Sequence, residues 1–186
     1  MTTHQIIRVG QDDVHVFDDV VPTNEQQRID SFCRMLPFTR IRYAYRDSAE
    51  SEFRHDHQWV HPVSQDESPF LPIRQLHELA EEATAASLTP GRVHINCIQP
   101  GDPRHPHIDD TTGRVVVAVY FANAEWQNDW MGELTFFDDD GTAQVISPRP
   151  RRAIVFNGTL LHRGGVPVTG CPEVRYAIAH KFLREA

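Results

Sequence analysis

His105-Pro106-His107-Ile108-Asp109-Asp110 is the stretch of sequence that decides the fold, and it follows shortly after a Pro100-Gly101 turn. Side chains two positions apart on an extended chain point to the same side. His107 and Asp109 are therefore predicted to face one point, while Ile108 turns into a sheet. An imidazole and a carboxylate that converge in this way are two ligands of a metal site, which needs a third.

His162 is the predicted third ligand. It follows the strand-like residues 153–156, and the chain between Asp109 and His162 is long enough for strands to cross the sheets and return. Two histidines and one carboxylate on one face of a metal leave three adjacent positions open, which suits a non-haem iron that binds a cosubstrate and O₂. We therefore take His107, Asp109 and His162 as the candidate metal ligands and catalytic centre.

A His-x-Asp pair is by itself a weak signal, because the chain has 11 histidines and many aspartates. The order of the other parts makes the signal specific. The pair is followed by Gly-Glu-Leu-Thr-Phe at 132–136, then Ile-Ser-Pro at 146–148, then His162, and finally Arg175 on the last apolar run. A β-sandwich interaction module with an accidental motif would need all of these parts to coincide in order.

Outward from the motif, the second half of the chain has the pattern of short antiparallel strands. Apolar runs are separated by glycine and proline turns, which such strands need. The runs are residues 93–98, 114–121, 133–137, 143–146, 153–156 and 175–182. Many short strands after two helices predict a mostly β fold, a double-sheet jelly roll with helices packed on one face.

The first half predicts one strand and two helices. Residues 14–17 alternate as in a half-buried strand, and residues 22–25 offer a capping residue ahead of a helical stripe through Ile29 and Cys33. A second helix is predicted through Leu76 and ends before the Pro90-Gly91 breaker. The polar residues from about 40 to 72 show no sustained period, so they predict a loop or irregular hairpin and a candidate active-site lid.

Composition restricts the class of protein. The 186 residues contain no linker, so residues 1–186 are predicted to form a single domain. A net charge of -8 argues against a nucleic-acid partner, and no apolar run is long enough for a membrane span. The start of the chain lacks the features of a secretory signal, which predicts a cytoplasmic protein. The three cysteines are predicted to be buried, reduced thiols, and the oligomeric state is left open.

Over most of residues 14–183 the chain resembles the iron(II)/2-oxoglutarate dioxygenase superfamily, specifically its prolyl-hydroxylase-like members. The resemblance implies a double-stranded β-helix, a cupin-like jelly roll, with His107, Asp109 and His162 as the iron triad. It also implies that Arg175 pairs with the distal carboxylate of 2-oxoglutarate. A guanidinium matches a carboxylate with two parallel hydrogen bonds, which is the physical reason for arginine at that place.

Residues 96–101, Asn-Cys-Ile-Gln-Pro-Gly, resemble the Asn-x-Tyr-x-x-Gly approach to the metal pair in several branches of that superfamily. This likeness implies that Asn96 helps to hold 2-oxoglutarate. Ile98 stands where those relatives carry tyrosine. Phe121 and Ala177 stand where some relatives carry tyrosine and serine. The hydroxyl partner of the cosubstrate carboxylate is therefore left open.

The resemblance implies an enzyme that uses Fe(II), 2-oxoglutarate and O₂ and releases succinate and CO₂. We expect hydroxylation of an unactivated C–H bond in a small molecule, such as an amino acid or a secondary-metabolite intermediate. Desaturation, epoxidation and ring formation remain open, whereas Asp109 argues against halogenation because related halogenases lack that carboxylate. A peptidyl or carrier-bound substrate is the alternative.

A cupin-like metal-binding protein without enzymatic activity is the alternative of another class. Such a protein would have no need of Arg175, which is placed to receive the far carboxylate of the cosubstrate.

Other residues that resemble functional groups are interpreted structurally or left open. His55, Asp56 and His57 are assigned to the lid, and His94 and His180 to satisfied core or rim positions. His105 is left open between support of the metal site and contact with substrate. Trp126 and Trp130 are predicted to pack beside a loop. The basic cluster Arg149, Arg151 and Arg152 is predicted to lie in a solvated turn.

Overall fold

The fold is described by a computed structural model for residues 2–44, 55–102 and 104–185; of residues 42–44 and 55–57 only the backbone is described. Two helices lie in this part of the chain, α1 (Thr23–Met35) and α2 (Ile73–Thr84). The strands are β1 (Thr3–Val9), β2 (Asp12–Asp18), β3 (Thr39–Ala44), β4 (His55–Pro62), β5 (Leu88–Ile98), β6 (Val115–Phe121), β7 (Leu134–Phe137), β8 (Ala143–Ile146), β9 (Ala153–Asn157), β10 (His162–Gly164) and β11 (Arg175–Arg184). Neither helix has the length and apolar character that crossing a membrane requires.

The strands form two antiparallel sheets. The major sheet has eight strands in the order β1-β2-β9-β6-β11-β5-β4-β3, and the minor sheet has three in the order β10-β7-β8. The chain crosses repeatedly within the major sheet and between the two sheets, as it does in a jelly roll. The predicted mostly β, double-stranded β-helix fold is confirmed.

The central strands of the major sheet are buried on both faces. In β6, Val116 and Ala118 pack with the residues that contact the helices, whereas Val117, Val119 and Phe121 pack with the minor sheet. Side chains of a strand alternate between faces, so covering both faces requires an uninterrupted apolar run. This explains why residues 115–121 are continuously apolar. We call the face toward the minor sheet the inner face and the face toward the helices the outer face.

A buried polar network connects α1 to the start of β11. The amide Nε2 of Gln26 donates to the backbone carbonyl of Asn123 at 2.7 Å, and the Tyr120 hydroxyl donates to the side-chain oxygen of Gln26. Asn123 in turn accepts a hydrogen bond from the backbone N–H of Tyr176 at 2.7 Å and donates to the carbonyl of Val174 at 2.9 Å. The residues on both sides of Arg175 are thus fixed by hydrogen bonds.

The order of the first elements differs from the prediction. β1 was not predicted, and the strands β1 to β4 lie before and between the helices, so the helices do not simply precede the main body. Helix α1 begins after Pro22, which makes no side-chain capping bond, so the predicted cap is wrong. Residues 39–44 and 55–62 form a regular antiparallel hairpin in the major sheet, and β4 pairs with β5. Of the proposed lid, residues 45–54 lie outside the described residues.

Two smaller predictions have clear outcomes. Cys33 and Cys97 are buried free thiols, whereas Cys171 is partly exposed. Arg149, Arg151 and Arg152 lie in the turn between β8 and β9, where they form ion pairs with Asp18 and Asp19. The basic cluster therefore lies in a turn, as predicted, but the Arg152 side chain is 13% exposed and thus largely buried rather than solvated.

Candidate active site

Two backbone hydrogen bonds bring His107 and His162 together. The N–H of His107 donates to the carbonyl of His162 at 2.9 Å, and the N–H of His162 donates to the carbonyl of His107 at 3.0 Å. The two residues form an isolated antiparallel bridge between the segment before β6 and the start of β10. Residues paired in this way are adjacent on the same face, and their ring centroids lie 4.5 Å apart.

The orientation of the two rings directs one nitrogen of each toward Asp109. Nδ1 of His107 lies 3.1 Å from the carbonyl of His105, and Nδ1 of His162 lies 2.9 Å from the carbonyl of Leu160. A ring that donates from Nδ1 carries its lone pair on Nε2, which is the nitrogen that binds a metal. Each Nε2 is 3.8 Å from a different oxygen of Asp109.

Asp109 is fixed by its backbone and stays ionised. Its N–H donates to the carbonyl of Gly158 at 2.8 Å, and a Cβ at Gly158 would approach the carbonyl of Val115 to 3.0 Å, so a larger residue there would crowd this contact. Burial alone raises the pKa of the Asp109 carboxyl, but the charges of His162, Lys181 and His107 and the Lys181 hydrogen bond outweigh it and lower the pKa. The side chain is therefore an anionic ligand at neutral pH.

His162 is a neutral ligand. Its side chain is 7% exposed, and burial, followed by the charge of His107, lowers its pKa to about 4. The ligand atoms of His107, Asp109 and His162 all lie within 4.8 Å of one another, and they are the one group of this kind among the described residues. The three residues predicted from the sequence are thus brought together.

Arg175 is a buried cation on the inner face of β11. It is 2% exposed, its Nε has no hydrogen-bond partner, and it forms no ion pair with a described carboxylate. Its guanidinium lies 4.9 Å from the centre of the Phe121 ring. Burial, followed by the charge of Arg104, lowers its pKa to about 9, with an opposing contribution from Glu133. A ligand carboxylate would pair this charge.

Two glycines lie beside Arg175, and Gly132 makes room for it. A Cβ at Gly132 would lie 3.0 Å from Arg175 Cδ and 3.2 Å from the ring of Trp126, and Gly132 also has a positive φ of +85°. A Cβ at Gly164 would lie 3.8 Å from Arg175 Nη1. Trp126 packs edge-to-face on Trp130 and donates from Nε1 to the carbonyl of Met131, so the two tryptophans pack together, with Trp126 beside Gly132 and Arg175.

Asn96 lies on the same face as Arg175. It is paired with Ala177 in the register between β5 and β11, two positions along the strand from Arg175. Its side-chain oxygen is buried and has no hydrogen-bond partner among the described residues. Ile98, which is paired with Arg175 itself, supplies an apolar contact in place of a hydroxyl.

Lys181 and His94 border the triad and were not predicted as site residues. Lys181 Nζ lies 2.8 Å from Oδ1 of Asp109. His94 is 7% exposed, and burial, then the charges of Arg92 and Lys181, lowers its pKa to about 4 against an opposing contribution from Asp109. The alternation of side chains along a strand could have identified both residues. Lys181 is an even number of residues from Arg175 and His94 is two from Asn96, so each shares a strand face with a predicted site residue.

The remaining histidines differ from their predictions in part. The buried ring nitrogens Nδ1 of His94 and both Nδ1 and Nε2 of His180 lack a hydrogen-bond partner within the described ranges, so the expectation of satisfied core histidines is wrong. His105 contacts the site through its backbone carbonyl, which lies beside Nδ1 of His107. The side chains of His55, Asp56 and His57 lie outside what the structure describes.

Comparison with known proteins agrees with this geometry. Residues 93–182 match the family model of the 2OG-Fe(II) oxygenase superfamily, a range that contains every candidate site residue. No curated protein matches the chain in sequence.

Solved structures share the fold at low sequence identity. A prolyl-4-hydroxylase from Pseudomonas putida has a TM-score of 0.67 and 19% identity, with 93% of each chain covered. The epimerase SnoN in complex with Fe³⁺, alpha ketoglutarate and nogalamycin RO has a TM-score of 0.72 and 14% identity, covering 94% of this chain and 80% of that one. A Trichoplax adhaerens prolyl hydroxylase, in complex with a hypoxia inducible factor peptide fragment, has a TM-score of 0.66 and 16% identity, covering 92% and 83%. Over residues 93–182 the chain is thus similar to the 2OG-Fe(II) oxygenase superfamily, whose enzymes use Fe(II), 2-oxoglutarate and O₂.

Proposed function

We propose that His107, Asp109 and His162 bind Fe(II), that Arg175 and Asn96 bind 2-oxoglutarate, and that the enzyme hydroxylates an unactivated C–H bond of a small molecule. The observation that carries the proposal is the unpaired, buried guanidinium of Arg175 on the strand face that also borders the triad. A cation held out of water without a partner is unfavourable unless a ligand supplies the opposite charge.

The triad fits Fe(II) by its donor set. Two imidazole nitrogens and one carboxylate converge with their ligand atoms within 4.8 Å of one another. This combination of ligands on one side of a metal leaves three adjacent positions open. The carbonyls of His105 and Leu160 orient the imidazoles through Nδ1, so Nε2 is available before a metal arrives.

The pocket around Arg175 fits the far carboxylate of 2-oxoglutarate. The guanidinium can donate two parallel hydrogen bonds to a carboxylate, and Phe121 and Ile98 provide apolar contacts on the inner face. The unpartnered oxygen of Asn96 accepts a hydrogen bond, so it suits a donor such as an ordered water or a protonated group. Arg175 therefore carries the main part of cosubstrate recognition.

The chemistry follows from what these residues hold in place. Bound Fe(II), together with 2-oxoglutarate and O₂, supplies the oxidant that removes a hydrogen atom from the substrate, and the cosubstrate leaves as succinate and CO₂. The chain fixes the metal ligands on backbone hydrogen bonds, neutralises the cosubstrate carboxylate with Arg175, and limits access of water through the buried inner face. Asp109 occupies the position that a halide would need, which favours hydroxylation over halogenation.

A small-molecule substrate is supported by the net charge of -8, which disfavours polyanionic partners. SnoN is described as an enzyme of nogalamycin biosynthesis. A peptidyl or carrier-bound substrate is the second candidate, favoured by the likeness to the prolyl hydroxylase in complex with a peptide. Competition between free compounds and peptides, measured by succinate release, distinguishes the two substrate classes. We also propose that the protein is cytoplasmic.

The first experiment is an anaerobic titration of Fe(II)-loaded protein with 2-oxoglutarate, followed by the visible charge-transfer band of the bidentate chelate. We expect a saturable band that disappears in His162→Ala. His4→Ala is the matched control, because His4 is an exposed histidine of β1 that contacts His15 and Phe17 and should leave the band unchanged. A folded, iron-replete protein without the band would contradict the proposal.

A further inference from the structure

Lys181 is the single lysine of the chain, and it contacts a proposed metal ligand. The other basic residues among the 18 lysines and arginines are arginines. Lys181 Nζ lies 2.8 Å from Oδ1 of Asp109, in an ion pair whose side chains are 22% and 14% exposed. No other ion pair of Asp109 with a lysine or arginine is found among the described residues.

The contact distinguishes the two oxygens of Asp109. Oδ1 is bonded to Lys181 and lies 3.8 Å from His107 Nε2, whereas Oδ2 lies 3.8 Å from His162 Nε2. An ammonium bonds one oxygen as a compact point charge, whereas a guanidinium fork engages both oxygens of a carboxylate. Lysine is thus the cation that can hold one oxygen and leave the other to a metal.

The backbone around Lys181 is irregular where it faces β5. The register between β11 and β5 shifts between His180 and Phe182, while the pairing of Lys181 with Val117 on β6 continues. A Cβ at Gly91 would approach the carbonyl of Lys181 to 2.6 Å, so the close contact requires glycine. Bulges beside active sites commonly redirect a side chain, and here the side chain at the bulge reaches Asp109.

We infer that Lys181 is a positioning residue that holds Oδ1 of Asp109, so that the carboxylate binds the metal through Oδ2 alone. The inference rests on the proposed metal site. A carboxylate that bound through both oxygens would occupy one of the three positions that the cosubstrate and O₂ require. Lys181 therefore preserves an open position without contacting the metal or the cosubstrate.

The test uses Mn(II) as a redox-stable probe and counts its bound waters by water-proton relaxation. In Lys181→Met we expect Mn(II) to bind at least as tightly as in wild type, because a nearby positive charge is removed. The relaxation enhancement should fall by about a third as the second oxygen replaces one of three waters. The affinity of the Mn(II) protein for 2-oxoglutarate should fall about tenfold or more, because the second oxygen of Asp109 would take a position that the cosubstrate needs.

Lys181→Arg should change the affinity for Mn(II) in the opposite direction. The guanidinium fork would engage both oxygens of Asp109, so the affinity for Mn(II) should fall by about tenfold or more. Arg184→Met is the control, because it removes one positive charge three positions further along β11 and should change neither quantity. If Lys181 had only a structural role, both variants would lose stability, and their affinities for Mn(II) would not differ in this way.

The outcomes separate the two proposals. If wild-type protein shows no relaxation enhancement with Mn(II), the metal site itself is wrong. If wild-type protein binds Mn(II) and 2-oxoglutarate but Lys181→Met keeps the same water count and cosubstrate affinity, the role of Lys181 is overturned while the metal site stands. Equal losses of metal affinity in Lys181→Met and Lys181→Arg would likewise overturn the inference.

Discussion

Replacing Arg175 with methionine should stabilise the ligand-free protein while removing its response to 2-oxoglutarate. The buried guanidinium forms no ion pair with a described carboxylate, and its Nε has no hydrogen-bond partner. Methionine keeps an unbranched, largely apolar side chain in the space beside Gly132 and Phe121 and removes the charge. The substitution therefore separates the cost of the cation in the free protein from its benefit when a carboxylate is bound.

The magnitude follows from the burial of the charge. Arg175 has its pKa lowered from 12.5 to about 9, chiefly by burial, and each pKa unit corresponds to about 1.4 kcal/mol. The unliganded cation thus costs on the order of 5 kcal/mol. Methionine removes this cost, but lost packing and the lost contact of the guanidinium with Phe121 offset part of the gain in stability. We expect the free energy of unfolding to rise by about 1–3 kcal/mol.

Cosubstrate binding should change in the opposite direction. Losing a buried, charge-assisted hydrogen-bonded pair costs about 2–5 kcal/mol, or roughly thirtyfold to several thousandfold in affinity. At 2-oxoglutarate concentrations of 100 times its dissociation constant, wild-type protein should gain about 2.7 kcal/mol of stability. Arg175→Met should gain almost none at the same concentration. Adding 2-oxoglutarate should therefore narrow the difference in free energy of unfolding between the two proteins, or reverse its sign.

The assay is urea unfolding of the Mn(II) protein with and without 2-oxoglutarate, since Mn(II) avoids turnover. Arg163→Met is the matched control, because Arg163 is exposed on β10 and its guanidinium also lies over a ring, that of Phe137 at 5.9 Å. Its stability should stay within about 0.5 kcal/mol of wild type. An Arg175→Met protein that is less stable without ligand and is still stabilised by 2-oxoglutarate would refute the reasoning.

Two further predictions concern Gly132 and His180. Gly132→Ala should lower stability by about 1–3 kcal/mol, because its φ of +85° strains alanine, and should weaken 2-oxoglutarate binding, because its Cβ would meet Arg175. Gly101→Ala, at a φ of +83° with nothing within 4 Å, should lose stability alone in the same titration; equal cosubstrate affinities would contradict the prediction. His180→Leu should raise the free energy of unfolding by about 1–3 kcal/mol at pH 7.5, because both buried ring nitrogens lack partners. Burial and the charge of His77 lower the pKa of His180 to about 4, so wild type loses stability as pH falls from 6.5 toward 4 and the advantage of the variant in urea unfolding should grow at pH 5. A His180→Leu protein less stable than wild type at both pH values would sink the idea.

The second half of the fold was predictable from local sequence patterns. Most of its strands are short and separated by glycine or proline turns, so the pattern alone gave bounds within about two residues of β6 to β9 and β11. Strand β5 instead begins at Leu88 and includes Pro90-Gly91, which was predicted to be a breaker. The proximity of the three candidate metal ligands was predictable for the same reason, because alternation on an extended segment places His107 and Asp109 on one side. The bridge to His162 then completes the site.

The first half was less predictable because its strands lack that pattern. β1 is largely exposed at the sheet edge, so its side chains show no buried stripe. β3 and β4 pair with each other in a regular register although few of their residues are strongly apolar. The position of Lys181 depended on a register shift opposite Gly91, which no local pattern records. Long-range pairing, rather than propensity, decides these elements.

The backbone bridge between His107 and His162 has a consequence for how the enzyme survives in an oxidising solution. The hydrogen bonds that pair the two residues join main-chain atoms, and those that orient the rings join Nδ1 to main-chain carbonyls, so all of them form without any bound ion. A protein assembled in this way keeps its architecture when the metal is lost through oxidation or chelation. Inactivation by air should therefore be reversible, and fresh ferrous iron with a reductant should restore the enzyme without a refolding step.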